Sequence, residues 1–219
     1  MVWNREISRW RREGGTVTGA PEEESYRILR SRIDLSRLEP LSRAVTEHVI
    51  AASADFDYAT DLVCREPVLA AAVAGLADGA AVVADTAMVA AGITGYPVVC
   101  KSEEMLTARL ARTAAISKPA AAVRLAFGQA GPGAIWVIGC EPGALHEIMA
   151  RNVEPSLVIG LPVGFAGVAE AKDALRASGL PAVTNVSEKG GAVVAAAAFC
   201  ALAEAAAALA GPAPAATPD

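Results

Sequence analysis

Short apolar runs alternate along the chain with longer stretches whose apolar positions recur every three or four residues. The short runs predict strands at Ala81–Ala84, Val98–Cys100, Ile135–Ile138, Leu157–Gly160 and Ala182–Thr184. The helical period falls at Leu41–Ala52, Val68–Leu76, Glu104–Ala111, Ala120–Phe127, Pro142–Arg151, Val168–Ala177 and Ala192–Leu209. Strands that read as unbroken apolar runs are covered on both faces, and their alternation with helices predicts an α/β fold on a five-stranded parallel sheet. Open sheets of this kind bind ligands beyond the carboxyl ends of their strands. The segments to interrogate are therefore Asp85-Thr86, Lys101, Cys140-Glu141, Leu161-Pro162-Val163-Gly164 and Asn185-Val186-Ser187-Glu188.

Outside that body, residues 1–24 are polar and glycine-bearing and predict a flexible arm, while the Pro- and Ala-rich residues 211–219 predict a disordered tail. Between them residues 25–210 contain no repeat and no linker, which predicts one domain. The segment Ala192–Ala210 is apolar enough to imitate a membrane span. It consists mostly of Ala, carries Glu204 and follows Gly190-Gly191, so a buried helix is the better expectation.

Composition narrows the function classes. Of 219 residues 53% are hydrophobic and only 5% aromatic, so the core is built from Ala, Val, Ile and Leu. A net charge of -5, with no basic stripe interleaved with aromatics, argues against a nucleic-acid partner. The nearest candidate, Arg5, Arg9, Arg11 and Arg12, is diluted by Glu6 and Glu13. Cys64, Cys100, Cys140 and Cys200 are too far apart for a C-x-x-C motif, and with only His48 and His146 beside them no metal site is expected. Arg5, Glu6 and Arg9 interrupt any apolar run near Met1, so the expectation is a soluble, cytoplasmic, reduced protein with no membrane partner.

Three strand-to-helix crossings carry candidate chemistry. Lys189-Gly190-Gly191 offers backbone N–H groups, a helix dipole and a positive charge to an anion, although a tight turn would need the same glycines. Gly160 to Gly167 is glycine-rich but matches neither G-x-G-x-x-G nor a Walker spacing, so no nucleotide is inferred. In Gly139-Cys140-Glu141-Pro142-Gly143-Ala144-Leu145-His146 a thiol, a carboxylate and an imidazole fall within seven residues at a strand end, enough for acid–base chemistry. A buried thiol and a solvated helix-face imidazole would look the same. Asp85 could cap the following helix or contact a ligand.

Several segments, in order, resemble the precorrin-8X methylmutase family. Val158 to Lys172 is close to I-G-x-P-V-G-F-V-G-A-A-E-S-K, and Ala84 to Thr94 is close to D-T-x-M-V-x-x-G-I-T through Asp85, Thr86 and Met88. Glu24-Ser25-Tyr26 through Arg30 is similar to E-S-F-x-I-I-R, and Gly190-Gly191 to the end of G-R-K-G-G-S; Asp55-Phe56-Asp57-Tyr58 also matches. The resemblance implies a flavodoxin-like three-layer α/β/α sandwich, a homodimer with its site near the subunit interface, and no cofactor. It implies a corrinoid polycarboxylate as small-molecule substrate, on which a methyl group moves between two ring carbons, with a histidine of R-x-x-H-A-x-G-D as proton donor. The implied substrate-binding positions are Arg30, Ala51, Ser53, Asp85, Thr86, Met88, Ser117, Lys118, Lys189, Gly190 and Gly191.

The departures bear on chemistry. The proton-donor motif falls on His48-Val49-Ile50-Ala51-Ala52-Ser53-Ala54-Asp55, so the histidine's place is taken by Ala51, with His48 about one turn away on the same helix. T-R-S becomes Ser117-Lys118-Pro119, G-N-A-P-T-A-L becomes Gly139 to Leu145, and the arginine before Lys189 becomes Glu188. A carboxylate ~6 Å from a substrate carboxylate costs roughly 3 kcal/mol at an effective dielectric near 20, about a hundredfold in affinity. The first expectation is thus a repurposed isomerase- or lyase-type enzyme on a smaller or less anionic substrate, with Cys140, Glu141, His146 and Glu188 as acid–base groups. The alternatives are a methylmutase that recruits His48, and a tetrapyrrole binder without catalysis.

Overall fold

The computed structural model describes residues 20–151 and 153–210; the basic arm residues Arg5, Arg9, Arg11 and Arg12 and the tail 211–219 lie outside them. Helix α1 (Ala20–Arg32) packs Leu29 against α2 (Pro40–Ser53) and is followed in the chain by the one-turn α3 (Tyr58–Asp61) and strand β1 (Leu62–Val63). Then come α4 (Glu66–Ala77), β2 (Val82–Ala84), α5 (Ala87–Gly92), β3 (Val99–Cys100), α6 (Met105–Ala114) and α7 (Lys118–Ala130). The remainder is β4 (Ile135–Ile138), α8 (Pro142–Ala150), β5 (Leu157–Gly160), α9 (Val168–Ala177), β6 (Ala182–Asn185) and α10 (Ala192–Ala210). Ends are set by local chemistry. Pro40 opens α2, whose first N–H groups lack a side-chain cap of their own; Glu66 of α4 accepts from Leu41 N at 2.8 Å and Ser42 N at 2.9 Å instead.

The sheet has six strands in the order β1-β6-β5-β4-β2-β3, which corrects the expected five. Strands β2 to β6 are parallel, while β1 runs antiparallel to β6 with Leu62 opposite Asn185 and Val63 opposite Thr184. Two residues are too few to show a strand period, so β1 left no pattern to read. Alternate strand residues face opposite sides. Val82, Ala84, Ile135, Val137, Leu157, Ile159 and Val183 join a core with α2, α4, α5 and α10; Val83, Trp136, Ile138 and Val158 join another with α7, α8 and α9.

Helix α10 is, among the described residues, the one long and apolar enough to cross a membrane. Ala195, Ala198, Phe199, Leu202 and Ala206 are wholly buried, and the helix packs on α2, α4 and α5. Its alanine surface lets it lie close to the sheet: a Cβ on Gly139 would stand 2.9 Å from Ala192 Cα, so the first turn of α10 rests on the end of β4.

Candidate active site at the carboxyl edge

Strands β2 and β4 are neighbours, yet the chain leaves β2 toward β3 on one side and leaves β4 toward β5 on the other. That reversal opens a crevice beyond their carboxyl ends. Asp85 lies beneath its floor. Its side chain is wholly buried and Oδ2 accepts from Gly139 N at 3.3 Å and Cys140 N at 3.0 Å, stapling the end of β2 to the end of β4. Burial pushes its carboxyl up to about 6 against those hydrogen bonds, which lower it. Asp85 therefore neither caps the next helix nor reaches the surface. The cap is Thr86, which accepts from Val89 N at 3.3 Å and lies 3.0 Å from Cys140 Sγ. Burial raises the Cys140 thiol, and the charges of Asp85 and Glu141 raise it further, so it holds its proton and is a poor nucleophile at neutral pH.

Ser117 caps α7 by accepting from Ala120 N at 3.1 Å, and donates its own proton to Glu141, which precedes α8. Lys118 pairs with Glu103 at 3.4 Å and Lys101 with Glu104 at 2.8 Å. His146 is exposed on α8 and forms no hydrogen bond or ion pair among the described residues. The structure thus joins Cys140 to Thr86 and Glu141 to Ser117, while His146 bonds to neither.

The second wall is the β6–α10 loop. Gly190 sits at φ 152°, and a Cβ there would lie 2.3 Å from Leu161 O, so only glycine fits against the β5 loop. Gly191 N donates to Leu161 O at 2.8 Å. Lys189 is engaged within the protein: its Nζ pairs with Asp55 at 2.7 Å and Asp57 at 2.5 Å, tying this loop to the end of α2. Those bonds raise the Lys189 ammonium and hold Asp55 low. Glu188 is exposed, and its backbone carbonyl accepts from Gly164 N at 3.2 Å.

Two residues that organise this loop were not among the expected site residues. Asp61 accepts from Val186 N, Ser187 N, Ser187 Oγ and Asn185 Nδ2 at 2.6–3.0 Å. Burial raises its carboxyl, but these four donors outweigh burial and leave it lowered. Lys172 is wholly buried and donates to Ser187 O at 2.8 Å and Lys189 O at 2.6 Å; burial brings it down to about 8. Its signal was in the sequence: Val168, Ala171 and Leu175 form the buried stripe of α9, and Lys172 interrupts it. Nothing local marks Asp61.

The α2 residues divide. Ala51 is exposed, and Ser53 beside it donates to Val49 O at 2.7 Å and accepts from Asp55 N at 3.3 Å. His48 turns elsewhere: Nδ1 lies 2.9 Å from Ala44 O, Nε2 lies 3.1 Å from Glu204, and the ring packs on Tyr26. Glu204 stands about 12 residues into α10, about 18 Å along its axis from the turn that rests on β4. The imidazole thus faces the flank of α10 and not the strand ends. Arg30 of α1 pairs with Glu47 at 2.6 Å and stacks on Tyr26. Around the edge the large apolar side chains Met88, Val163, Phe165, Val186 and Val193 are exposed, Phe165 at 93%.

A crevice with apolar rims and a polar floor suits an extended ligand that is partly apolar and partly polar. The sequence model for precorrin-8X methylmutase matches residues 21–205. The cobalt-precorrin-8 methylmutase of Salmonella typhimurium is 35% identical over 78% of this chain and 84% of that protein. The cobalt-precorrin-8 methylmutase of Methanothermobacter thermautotrophicus is 34% identical over 86% of this chain and 95% of its own length. The crystal structure of precorrin-8X methyl mutase from Thermus thermophilus superposes with a TM-score of 0.78 at 31% identity, covering 87% of this chain and 97% of that one. With a match spanning nearly the whole described body, this chain belongs to the precorrin-8X methylmutase family.

Proposed function

We propose that the chain takes a corrinoid at the carboxyl edge and carries out the methyl migration for which its relatives are named. The observation that carries this reading is the continuity of the edge: Asp85 and Thr86 bond to Cys140, Leu161 N donates to Ile138 O, and Gly191 N donates to Leu161 O, joining the ends of β2, β4 and β5 and the loop after β6. The near full-length match to methylmutases favours this over the smaller substrate expected from the charge changes. The five parallel strands, renumbered from the first, run 2-1-3-4-5, the order of flavodoxin-like sheets, which supports the three-layer architecture. The exposed Met88, Val163, Phe165 and Val193 support a second copy of the chain closing the crevice as a homodimer.

His48 is the imidazole on the helix that carries Ala51, and to donate a proton it would have to leave Glu204 and Ala44. That geometry favours a second reading, a protein that binds the corrinoid without turning it over. Absorbance titration with hydrogenobyrinate tests the shared part, since binding perturbs the chromophore. Incubation with precorrin-8X, with the methyl position read by NMR, separates the two. No spectral change with either compound would remove both.

A further inference from the structure

We infer that the chain carries a second small-molecule site at the amino edge of the sheet, where Trp136 and Arg151 receive a small aromatic carboxylate. It lies at the opposite end of β4 from the crevice and stands apart from the corrinoid reading.

The loops that lead into β4 and β5 border a cavity of about 420 Å³, lined by Phe127, Pro132, Trp136, Arg151, Val153 and Glu154. That volume is in the range that holds small ligands. Trp136 is wholly buried, and its Nε1 has no hydrogen-bond partner among the described residues. Buried polar groups are nearly always paired, because a buried N–H without an acceptor is destabilising. The cavity that Trp136 lines is the space from which an acceptor can approach it.

The rest of the lining says what else the ligand carries. Phe127 stands edge to face with Trp136, ring centroids 5.0 Å apart, and Arg151 Cζ lies 6.0 Å from the Phe127 centroid. A ring in the cavity thus meets two aromatic side chains and a planar cation. Glu147 accepts from Arg124 through both oxygens, at 2.8 Å and 2.5 Å, and from Arg151 Nε at 2.8 Å. One carboxylate therefore serves two guanidiniums, which leaves positive charge in excess. The Nη groups of Arg151 have no acceptor among the described residues and are free to meet an anion. Glu154 is exposed at the rim, where water screens it, so it weakens that attraction without cancelling it. A carboxylate offers oxygens to the indole and the guanidinium together, and an aromatic ring behind it covers Phe127.

The test is a titration of the isotope-labelled full chain with benzoate, read by NMR at the indole N–H resonances. The chain has three Trp residues, and Trp3→Phe and Trp10→Phe assign the Trp136 signal by elimination. Wild type is expected to show a saturable shift of that signal with a Kd of about 1 mM, the affinity usual for so small a ligand. Benzamide keeps the ring and the acceptor without the charge, and cyclohexanecarboxylate keeps the charge without the aromatic faces. Each should bind about fivefold more weakly or worse. Arg151→Gln should weaken benzoate about tenfold and Glu154→Gln should tighten it about twofold, both effects shrinking as salt is raised. Corrinoid binding should be unchanged in both variants, because Trp136 and Cys140 are about 13 Å apart along the chain. A Trp136 indole that does not move as benzoate is raised to about 20 mM, well above that Kd, overturns the inference. So does a benzoate affinity that is the same in wild type and Arg151→Gln, or a benzamide that binds as tightly as benzoate.

Discussion

Replacing Asp85 by Asn tests the staple between β2 and β4 through its pH dependence. In the folded chain the Asp85 carboxyl is pushed from 3.8 up to about 6 by burial. About two pH units correspond to about 3 kcal/mol of preference for the protonated form. For an acid raised on folding, this stability is fully present below the unfolded value near 4 and is lost as pH rises through 6. Wild type therefore carries an ionised, buried carboxylate at neutral pH, held by Gly139 N and Cys140 N. An Asn oxygen in the place of Oδ2 accepts both bonds, and its NH2 in the place of Oδ1 faces Thr86 Oγ1, now 3.4 Å away. The variant should gain on wild type by about 1.5 kcal/mol between pH 5 and pH 8, the remainder lying below pH 5. For a chain of this length that is a relative shift of about 3–6 °C in melting temperature. Urea or thermal unfolding of both proteins across that range measures it, and all other titrating groups cancel in the difference. A difference that stays flat, or that falls with rising pH, would refute the assignment of a buried, destabilised carboxylate at this position.

Glu188 is exposed, so the effective dielectric around it is about 40–80 and the cost to a ligand carboxylate ~6 Å away falls to about 0.7–1.4 kcal/mol. Glu188→Arg removes that repulsion and adds an attraction of similar size, so it should tighten hydrogenobyrinate binding by about tenfold or more in low salt, and a titration at two salt concentrations checks this. His48→Ala removes a hydrogen bond to a half-exposed Glu204 and the packing on Tyr26, and should cost about 1 kcal/mol in unfolding experiments. Its rate of methyl migration should stay within a few-fold of wild type, whereas a loss of about a hundredfold or more would identify His48 as the proton donor. Lys172→Met leaves Ser187 O and Lys189 O with Asn185 Nδ2 alone as donor, so hydrogen exchange at Gly190 and Gly191 should accelerate while the exchange of β4 amides does not change. Light scattering should give twice 22.3 kDa, and a monomer at micromolar concentration would count against a site closed by a second copy.

The regular elements were legible where the sequence signal was complete. Strands β4 and β5 are four-residue apolar runs buried on both faces, and both begin and end where the runs do. Helix α9 lies between Gly167 and Gly179, which punctuate it in the sequence. Helix α1 escaped because it is polar, meeting α2 through Leu29, Tyr26 and the Arg30–Glu47 pair, and α5 because one and a half turns show no period. At the site, the strand-end rule selected Asp85, Thr86, Cys140 and Glu141, and the glycine crossing before α10 added Lys189, but residue identity alone could not tell contact from support. Lys189 reads as an anion ligand until Asp55 and Asp57, more than 130 positions away, are seen against it. Asp61 and Asn185 meet across a similar separation. Such pairings are set by how β1 joins β6, and that two-residue strand has no pattern of its own.

The central claim is a corrinoid site at the carboxyl edge, and the most direct measurement is an absorbance titration of the purified chain with hydrogenobyrinate, repeated with Gly190→Ala. A Cβ on Gly190 collides with Leu161 O and displaces the loop that forms one wall of the crevice, while the core of the sheet lies beneath it. The account predicts a saturable shift of the corrinoid bands with wild type and a weakening of about tenfold or more in the variant, provided circular dichroism shows the variant folded. No saturable shift with wild type, or equal affinity in a folded Gly190→Ala protein, would contradict it.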